Sequence, residues 1–286
     1  MAQEYRQIVL SEPKPFVKWA GGKRQLMSEL ERNFPTKFDT YLEPFLGGGA
    51  VMFDLLAKRS NLKCNVSDLN SDLVLAYVTI RDRLSRLIES LENHSKNYHK
   101  DSTRYYYEVR DQEPKNQIEK VSRLLFLNKT CFNGLYRVNS KGKFNVPMGR
   151  YTNPNIVNKE NLEIVSKALQ TEKIKISCRD FESVINDVKK GDFVYFDPPY
   201  QPVSDTANFT SYTHRDFTED DLERLVDLAN RLDSKGCNVL LSNSNSKTVK
   251  KLFSSEWNIT EIKANRAINS NSQKRTGHKE IIIKNY

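Results

Sequence analysis

The sequence predicts an α/β protein, a sheet domain interrupted at roughly 72–165 by a basic, mainly helical insert that carries one hairpin. Three observations lead there. In YLEPFLGGGAVMFDLLAKR a short apolar run enters a glycine triplet and helical periodicity follows. Further on, the β-rich run FVYF leaves directly into two prolines. Between these stretches, residues 93–120 are almost free of aliphatic side chains and rich in Lys, Asn and Tyr.

Taken in order, residues 23–34 place Leu26, Leu30 and Phe34 on one stripe and predict a helix. YLEPF, the glycines and AVMFDLLAKR then read as strand, loop and helix. KCNVSD is a short strand ending at Asp68, after which Asn70 or Ser71 can cap one long helix bearing Leu73, Tyr77, Ile80, Leu84, Leu87 and Leu91. VSRLLFLNKT is helical. LYRVN and FNV alternate around SKGK, predicting a hairpin with Gly142 in its turn. KIKIS and FVYF are strands again. Thr218 and Asp221 stand at capping-box spacing for a helix over 218–234, with Gly236 as its stop. CNVLLSN is a further strand, and NITEIKA and KEIIIKNY form a final strand pair.

Composition narrows the partners. The 286 residues admit one large domain or a domain plus a sizeable insertion, at ~100–200 residues per domain, enough for a core without disulfide or metal staples. Lys and Arg number 45 against 36 Asp and Glu, a net charge of +9 that points to a polyanionic partner. No window approaches the ~18 consecutive apolar residues of a membrane span, and the first residues lack the order of a secretory signal. The four cysteines form no C-x-x-C pair and the four histidines no nucleophile–base constellation. The expectation is a cytoplasmic protein with reduced thiols and no metal.

Two glycine loops read as a cofactor site. Gly47, Gly48 and Gly49 let the backbone turn tightly between strand and helix and approach a ligand closely, while Asp68 can accept both ribose hydroxyls of an adenosine. Met52 stands where a dinucleotide fingerprint has its third glycine, which favours a cofactor without a pyrophosphate. Upstream, FVKWAGGK places glycine amides, Trp19 and Lys23 before a helix, a grip for an amino-acid carboxylate. A plain strand-to-helix turn and a plain helix entry would produce the same two patterns separately. Together they point to S-adenosylmethionine, which has both an adenosine and a carboxylate.

Asp197-Pro198-Pro199-Tyr200 leaves the carboxyl end of FVYF, the edge where open α/β sheets bind ligands. The prolines fix φ and remove two amide donors. The Asp197 carboxylate and the Pro198 carbonyl can then accept the two N–H groups of an exocyclic amine, with the Tyr200 ring as a stacking face. An ordinary Asp titrates near ~3.9, far too low to deprotonate an aryl amine, so Asp197 serves as an acceptor that aims the nitrogen lone pair. Positioning of this kind can supply ~7–11 kcal/mol of a barrier.

Five motifs in order, FVKWAGGK, EPFLGGGA, the Asp68 strand end, FNGLYRVNSKGKFNVPMGRY and DPPY, resemble the DNA adenine methyltransferase (Dam) family. Their order is that of its α-group of N6-adenine methyltransferases, and the likeness is greatest to the GATC methylases of DpnII-type restriction–modification systems. The resemblance runs from about Pro15 to Tyr286. It implies a Rossmann-like, S-adenosylmethionine-dependent methyltransferase sheet in residues 1–71 and 166–286, and a mainly helical DNA-recognition domain with its β-hairpin in 72–165. It implies that Trp19, Ala20, Gly21, Gly22, Lys23, Phe45, Gly47, Gly49, Asp68 and Asp197 line the cofactor site, with Asp180 and Phe181 flanking its adenine. Tyr200 would stack on the flipped target base and Lys18 reach the first guanine. Asn133, Leu135, Arg137, Asn139 and Pro147 would face base edges, and Arg150 and Tyr151 backbone or neighbouring bases. Phe132 replaces a frequent tyrosine and would fill the gap left by the extruded base.

Physical chemistry agrees with that placement. A two-stranded ribbon fits the major groove, Arg137 can pair with guanine twice, and Lys129, Lys141, Lys143 and Arg150 suit phosphates, although an ordinary solvated face is also basic. A base must leave the stack to be reached. Residues 201–215 are a candidate lid, or a surface loop. The expected partner is double-stranded DNA, bound by a monomer of bacterial, archaeal or phage origin, with a cognate restriction endonuclease that makes no stable contact. Methylation of RNA, which the hairpin disfavours, a catalytically silent DNA-binding module and protein glutamine methylation are the competing readings.

Overall fold

A computed structural model describes residues 12–19, 21–59, 61–139, 141–200, 217–253, 256–264 and 278–286. Among these, seven strands form one sheet in the order β3-β2-β1-β4-β5-β7-β6. The strands are β1 (Thr40–Glu43), β2 (Lys63–Asp68), β3 (Ile174–Cys178), β4 (Phe193–Phe196), β5 (Asn238–Ser244), β6 (Asn258–Ala264) and β7 (His278–Lys284). The first five are mutually parallel; β7 enters antiparallel between β5 and β6, with Ser244 opposite Glu280. This is the doubly wound order of Rossmann-like sheets, reversing direction between β1 and β4. All four residues of β4 are buried, as a central strand covered on both faces requires.

Alternation along the strands sorts two cores. Tyr41, Phe193 and Tyr195 face one layer; Leu42, Val194 and Phe196 face the other. The first layer holds α2 (Ala50–Lys58), α3 (Ser71–Asp82) and α7 (Lys159–Leu169); the second holds α8 (Glu219–Ser234), with α9 (Lys247–Leu252) contributing Val249. The Thr218–Asp221 capping box starts α8 and Gly236 follows its end at φ 75°. A third cluster lies among α4 (Leu84–Tyr98), α5 (Ser102–Asp111) and α6 (Gln117–Thr130). Helix α6 joins it to the sheet, giving Phe126 and Leu127 to the third cluster and Val121, Leu124 and Leu125 to the first.

Three expected elements differ. The helix expected over 23–34 is a tight turn at Lys23–Gln25 followed by α1 (Met27–Glu31), because the Leu26 amide bonds three residues back to Lys23. The long helix capped by Asn70 breaks at Arg83 (φ −139°) into α3 and α4. Leu73, Tyr77 and Ile80 share one buried cluster with Leu87, Ile88 and Leu91, but α3 lies along β2 and β3 while α4 lies along α6. The hairpin has no continuous ladder, only bridges Val138–Phe144 and Cys131–Met148. Cross-strand amides pair around the turn, Asn139 N with the Lys143 carbonyl and Asn145 N with the Arg137 carbonyl, and polar side chains add to them: Asn139 Oδ1 accepts from the Lys141 and Lys143 amides, and the Arg137 guanidinium bonds Asn145. Gly142 does occupy the turn, at φ 73°. Helix α5 lay hidden in the aliphatic-poor stretch because it buries Tyr106 alongside Val109.

Among the described residues no group of His, Cys, Asp or Glu could hold a metal, and no helix is long and apolar enough to cross a membrane. His94, on α4, is stacked on Phe126 of α6 and hydrogen-bonded to Tyr105 of α5. Burial pushes its pKa from 6.5 down to about 4. The unfolded chain therefore takes up this proton first, and stability held above pH 6.5 is lost as pH falls toward about 4. His94→Gln should lose less stability than the wild type over that interval in urea titrations at stepped pH.

Candidate active site

The switch point between β1 and β4 brings both ligand loops to one edge. After β1, Gly47 (φ 49°) and Gly49 (φ 70°) turn the chain into α2. A Cβ on Gly49 would lie 2.5 Å from the Tyr77 hydroxyl, and one on Gly47 3.0 Å from the Trp19 ring, so these two positions have no room for side chains. Asp68, at the end of β2, is aimed by two amides, Gly47 N to Oδ2 and Asn70 N to Oδ1, each at 2.8 Å. Burial raises its pKa and these amides pull it back. Its neighbour Leu69 is 52% exposed. This cradle suits an adenosine-bearing ligand: Asp68 would take the ribose, and Gly21, Gly22 and Lys23 the carboxylate end. On the far side Phe45 stacks on Phe181 at 5.2 Å, and Asp180 pairs with Arg224 at 2.9 Å. Ala20 and the lid segment 201–215 lie outside the described residues.

Asp197 leaves β4 beside this cradle. Its Oδ1 receives Lys23 Nζ at 2.7 Å and the Ser242 hydroxyl at 2.9 Å. Ser242 is itself hydrogen-bonded to Tyr195 at 2.9 Å. Lys23, only 3% exposed, also donates to the Gly21 carbonyl and lies 4.8 Å from the centre of the Tyr200 ring. Burial pushes the Asp197 pKa up, and Lys23 and Ser242 oppose that rise. Both partners grip Oδ1, and among the described residues none is hydrogen-bonded to Oδ2. The Asp197 side chain keeps 18% exposure, which suits an acceptor facing a ligand.

The insert meets this edge through a staple that the sequence did not reveal. Buried Asn128, on α6, accepts from the Lys18 amide (2.8 Å) and donates to the carbonyls of Lys18 (2.8 Å) and Gly134 (3.0 Å). Gly134 stands at φ 66°, and a Cβ there would lie 2.4 Å from Lys18 Cδ. The Lys18 side chain runs against Gly134 to the Tyr151 hydroxyl (3.3 Å), and neighbouring Asn133 stands in the left-handed region at φ 55°. Phe132 is 42% exposed, an apolar ring turned to solvent. Asn133, Asn139, Pro147 and Arg150 are exposed, while Leu135, Arg137 and Tyr151 are half-buried. Buried Tyr106 holds the Val146 carbonyl (2.9 Å) and props the strip from below.

Residues 19–268 match the family described as D12 class N6 adenine-specific DNA methyltransferase. The chain belongs to this family. It is 45% identical to the type II methyltransferase M.MjaIII of Methanocaldococcus jannaschii, covering 96% of this chain and 100% of that one. It is 44% identical to the type II methyltransferase M1.LlaDCHI of Lactococcus lactis (96% and 95%), and 30% identical to the DNA adenine methylase of Escherichia coli (96% and 95%). The methyl donor of this D12 methyltransferase is S-adenosylmethionine, which supplies an electrophilic sulfonium methyl when bound.

Two surroundings in the D12 methyltransferase depart from the expected picture. Lys129 is not a free surface cation: burial, reinforced by Lys18, pushes its pKa down to about 8. Arg137 is not a free fork, since Asn145 holds its guanidinium. Ser242 and Asn128 were invisible in sequence because their partners lie far along the chain. Asn128→Ala should cost about 1–3 kcal/mol in denaturant unfolding, by stranding backbone groups of Lys18 and Gly134. Ser242→Ala should lower kcat while leaving DNA affinity in place, measured by single-turnover methylation beside a binding titration.

Proposed function

We propose that this D12 methyltransferase methylates N6 of an adenine flipped out of duplex DNA, within GATC, as the protective partner of a restriction–modification system. The observation that carries the reading is the one-sided grip on Asp197, in which Lys23 and Ser242 both take Oδ1 and no described residue takes Oδ2. Oδ2 and the Pro198 carbonyl accept the two amine protons, and the Tyr200 ring takes the base. The aryl amine attacks as a neutral nucleophile and its proton leaves from the cationic product. Asp197 thus orients and stabilises charge without first removing a proton. Lys23 opposes the upward push of burial on the Asp197 carboxyl and belongs equally to the carboxylate end of the cofactor site. Trp19, Gly47, Gly49, Asp68, Asp180 and Phe181 form the remainder of that site in this reading.

Residues 72–165 act as the target-recognition unit inserted into the catalytic halves 1–71 and 166–286. Lys18, Asn133, Leu135, Arg137, Asn139 and Pro147 read bases; Arg150 and Tyr151 steady the backbone; Phe132 fills the vacated stack. Support comes from the exposed Phe132 ring and from the Asn128 staple, which joins Lys18 to this strip. GATC rests on the likeness of 132–151 to GATC methylases, and the restriction setting on the two relatives named type II methyltransferases. Arg137 reads a base only after Asn145 yields its guanidinium.

Methylating a plasmid in vitro and mapping modified adenines at base resolution tests this directly; modification spread over unrelated sites, or preferred on folded RNA, would overturn it. Asp197→Ala should retain DNA binding and lose methyl transfer. Arg137→Ala should cost about 1–3 kcal/mol of discrimination at one base pair, read from affinities on singly substituted sites. A uniform loss on all DNA would make it a phosphate contact.

A further inference from the structure

The sequence assigns the function of Tyr200 to its ring, yet the hydroxyl has a partner. Tyr200 Oη donates to Glu280 Oε2 at 2.7 Å across a separation of 80 residues. Glu280 stands on β7, opposite Ser244 of β5, and is only 7% exposed. The three residues that follow it, Ile281, Ile282 and Ile283, are buried and apolar. No cation pairs with Glu280 among the described residues, so the carboxylate is buried at a cost that the sheet itself does not repay. Burial, with Asp197 and Glu280 nearby, pushes the Tyr200 phenol well above its usual range, so it stays protonated and donates.

We propose that Glu280 is a positioning residue for methyl transfer: it anchors the Tyr200 hydroxyl and thereby fixes the ring on which the target adenine stacks. A tyrosine ring turns about two torsions from its Cα. Pinning the far end fixes the first, and the second is biased because a phenolic O–H lies in the plane of its ring. Glu280 therefore dictates the direction in which the ring presents its face, beside the Asp197 acceptor. Lys23 near the same ring leaves it little other freedom. The inference rests on the reading of Tyr200 as the stacking residue.

Kinetics on the full-length enzyme with a duplex substrate test it, with melting temperature recorded for each variant. Tyr200→Phe and Glu280→Ala should each lower kcat about ten-fold with little change in KM for DNA or cofactor. Because both break one contact, the double variant should be no slower than the worse single one. Glu280→Gln, whose carbonyl still accepts, should recover most of the rate. Multiplicative losses, Glu280→Gln as slow as Glu280→Ala, or kcat within about two-fold of wild type in Glu280→Ala would each overturn the proposal. If Glu280→Ala fails to fold, Tyr200→Phe and Glu280→Gln decide it alone. Tyr200→Ala separates the two levels. If it remains active, the stacking reading itself falls; if it is dead while Tyr200→Phe is fully active, only the anchor falls.

Discussion

The ion pair between Lys23 and Asp197 is the constraint around which the rest is arranged. Taking two charges out of water costs several kcal/mol per ion, so a buried pair is poor evidence for a stabilising role. It persists because its members come from places the chain needs together. Lys23 opens the segment ahead of the sheet, and Asp197 ends the central strand. Ser242, from the neighbouring strand, takes the same oxygen. Three elements thus converge on one atom, and no described residue competes for the opposite oxygen. The parallel sheet provides the rigidity: β1, β4 and β5 lie side by side, so their ends cannot drift independently.

The insert is not a loosely tethered appendage. Helix α6 contributes to both the sheet core and the insert's own core, and Asn128 on that helix clasps the main chain of Lys18 and Gly134. Lys18 precedes Trp19, which packs on the Gly47 loop, by one residue. Tyr136 continues the same connection, with its ring 5.3 Å from Trp19 and its hydroxyl on Asp72. The strip expected to face DNA therefore shares walls with the pocket expected to hold the methyl donor.

What could be read from the sequence was local in origin. The glycine triplet, the β-branched and aromatic runs, the Asn70 cap and the Thr218–Asp221 box are signals a few residues long, and the structure contains each. DPPY likewise announces itself within four residues. The break at Arg83 carries no proline or glycine and accompanies a change of neighbours, from the sheet strands beside α3 to α6 beside α4. The short pairing of the hairpin escaped because Asn139 and Arg137 also bond within the strip, to the Lys141 and Lys143 amides and to Asn145. Ser242, Glu280 and Asn128 had no local mark at all: a serine in a strand, a glutamate before three isoleucines and an asparagine in an apolar helix are unremarkable until their distant partners are in place.

The antiparallel insertion of β7 orders how the sheet can be assembled. Strand β6 precedes β7 in the chain but borders only β7, and so has no seat on the sheet until the later strand has docked against β5. During synthesis the ribosome exposes β6 first, leaving its backbone groups and Ile262 without neighbours while the rest of the sheet is already formed. Such waiting strands are where nascent chains meet chaperones or one another. The same geometry delays completion of the pocket, because the wall that receives the Tyr200 hydroxyl is the last strand of the sheet to dock.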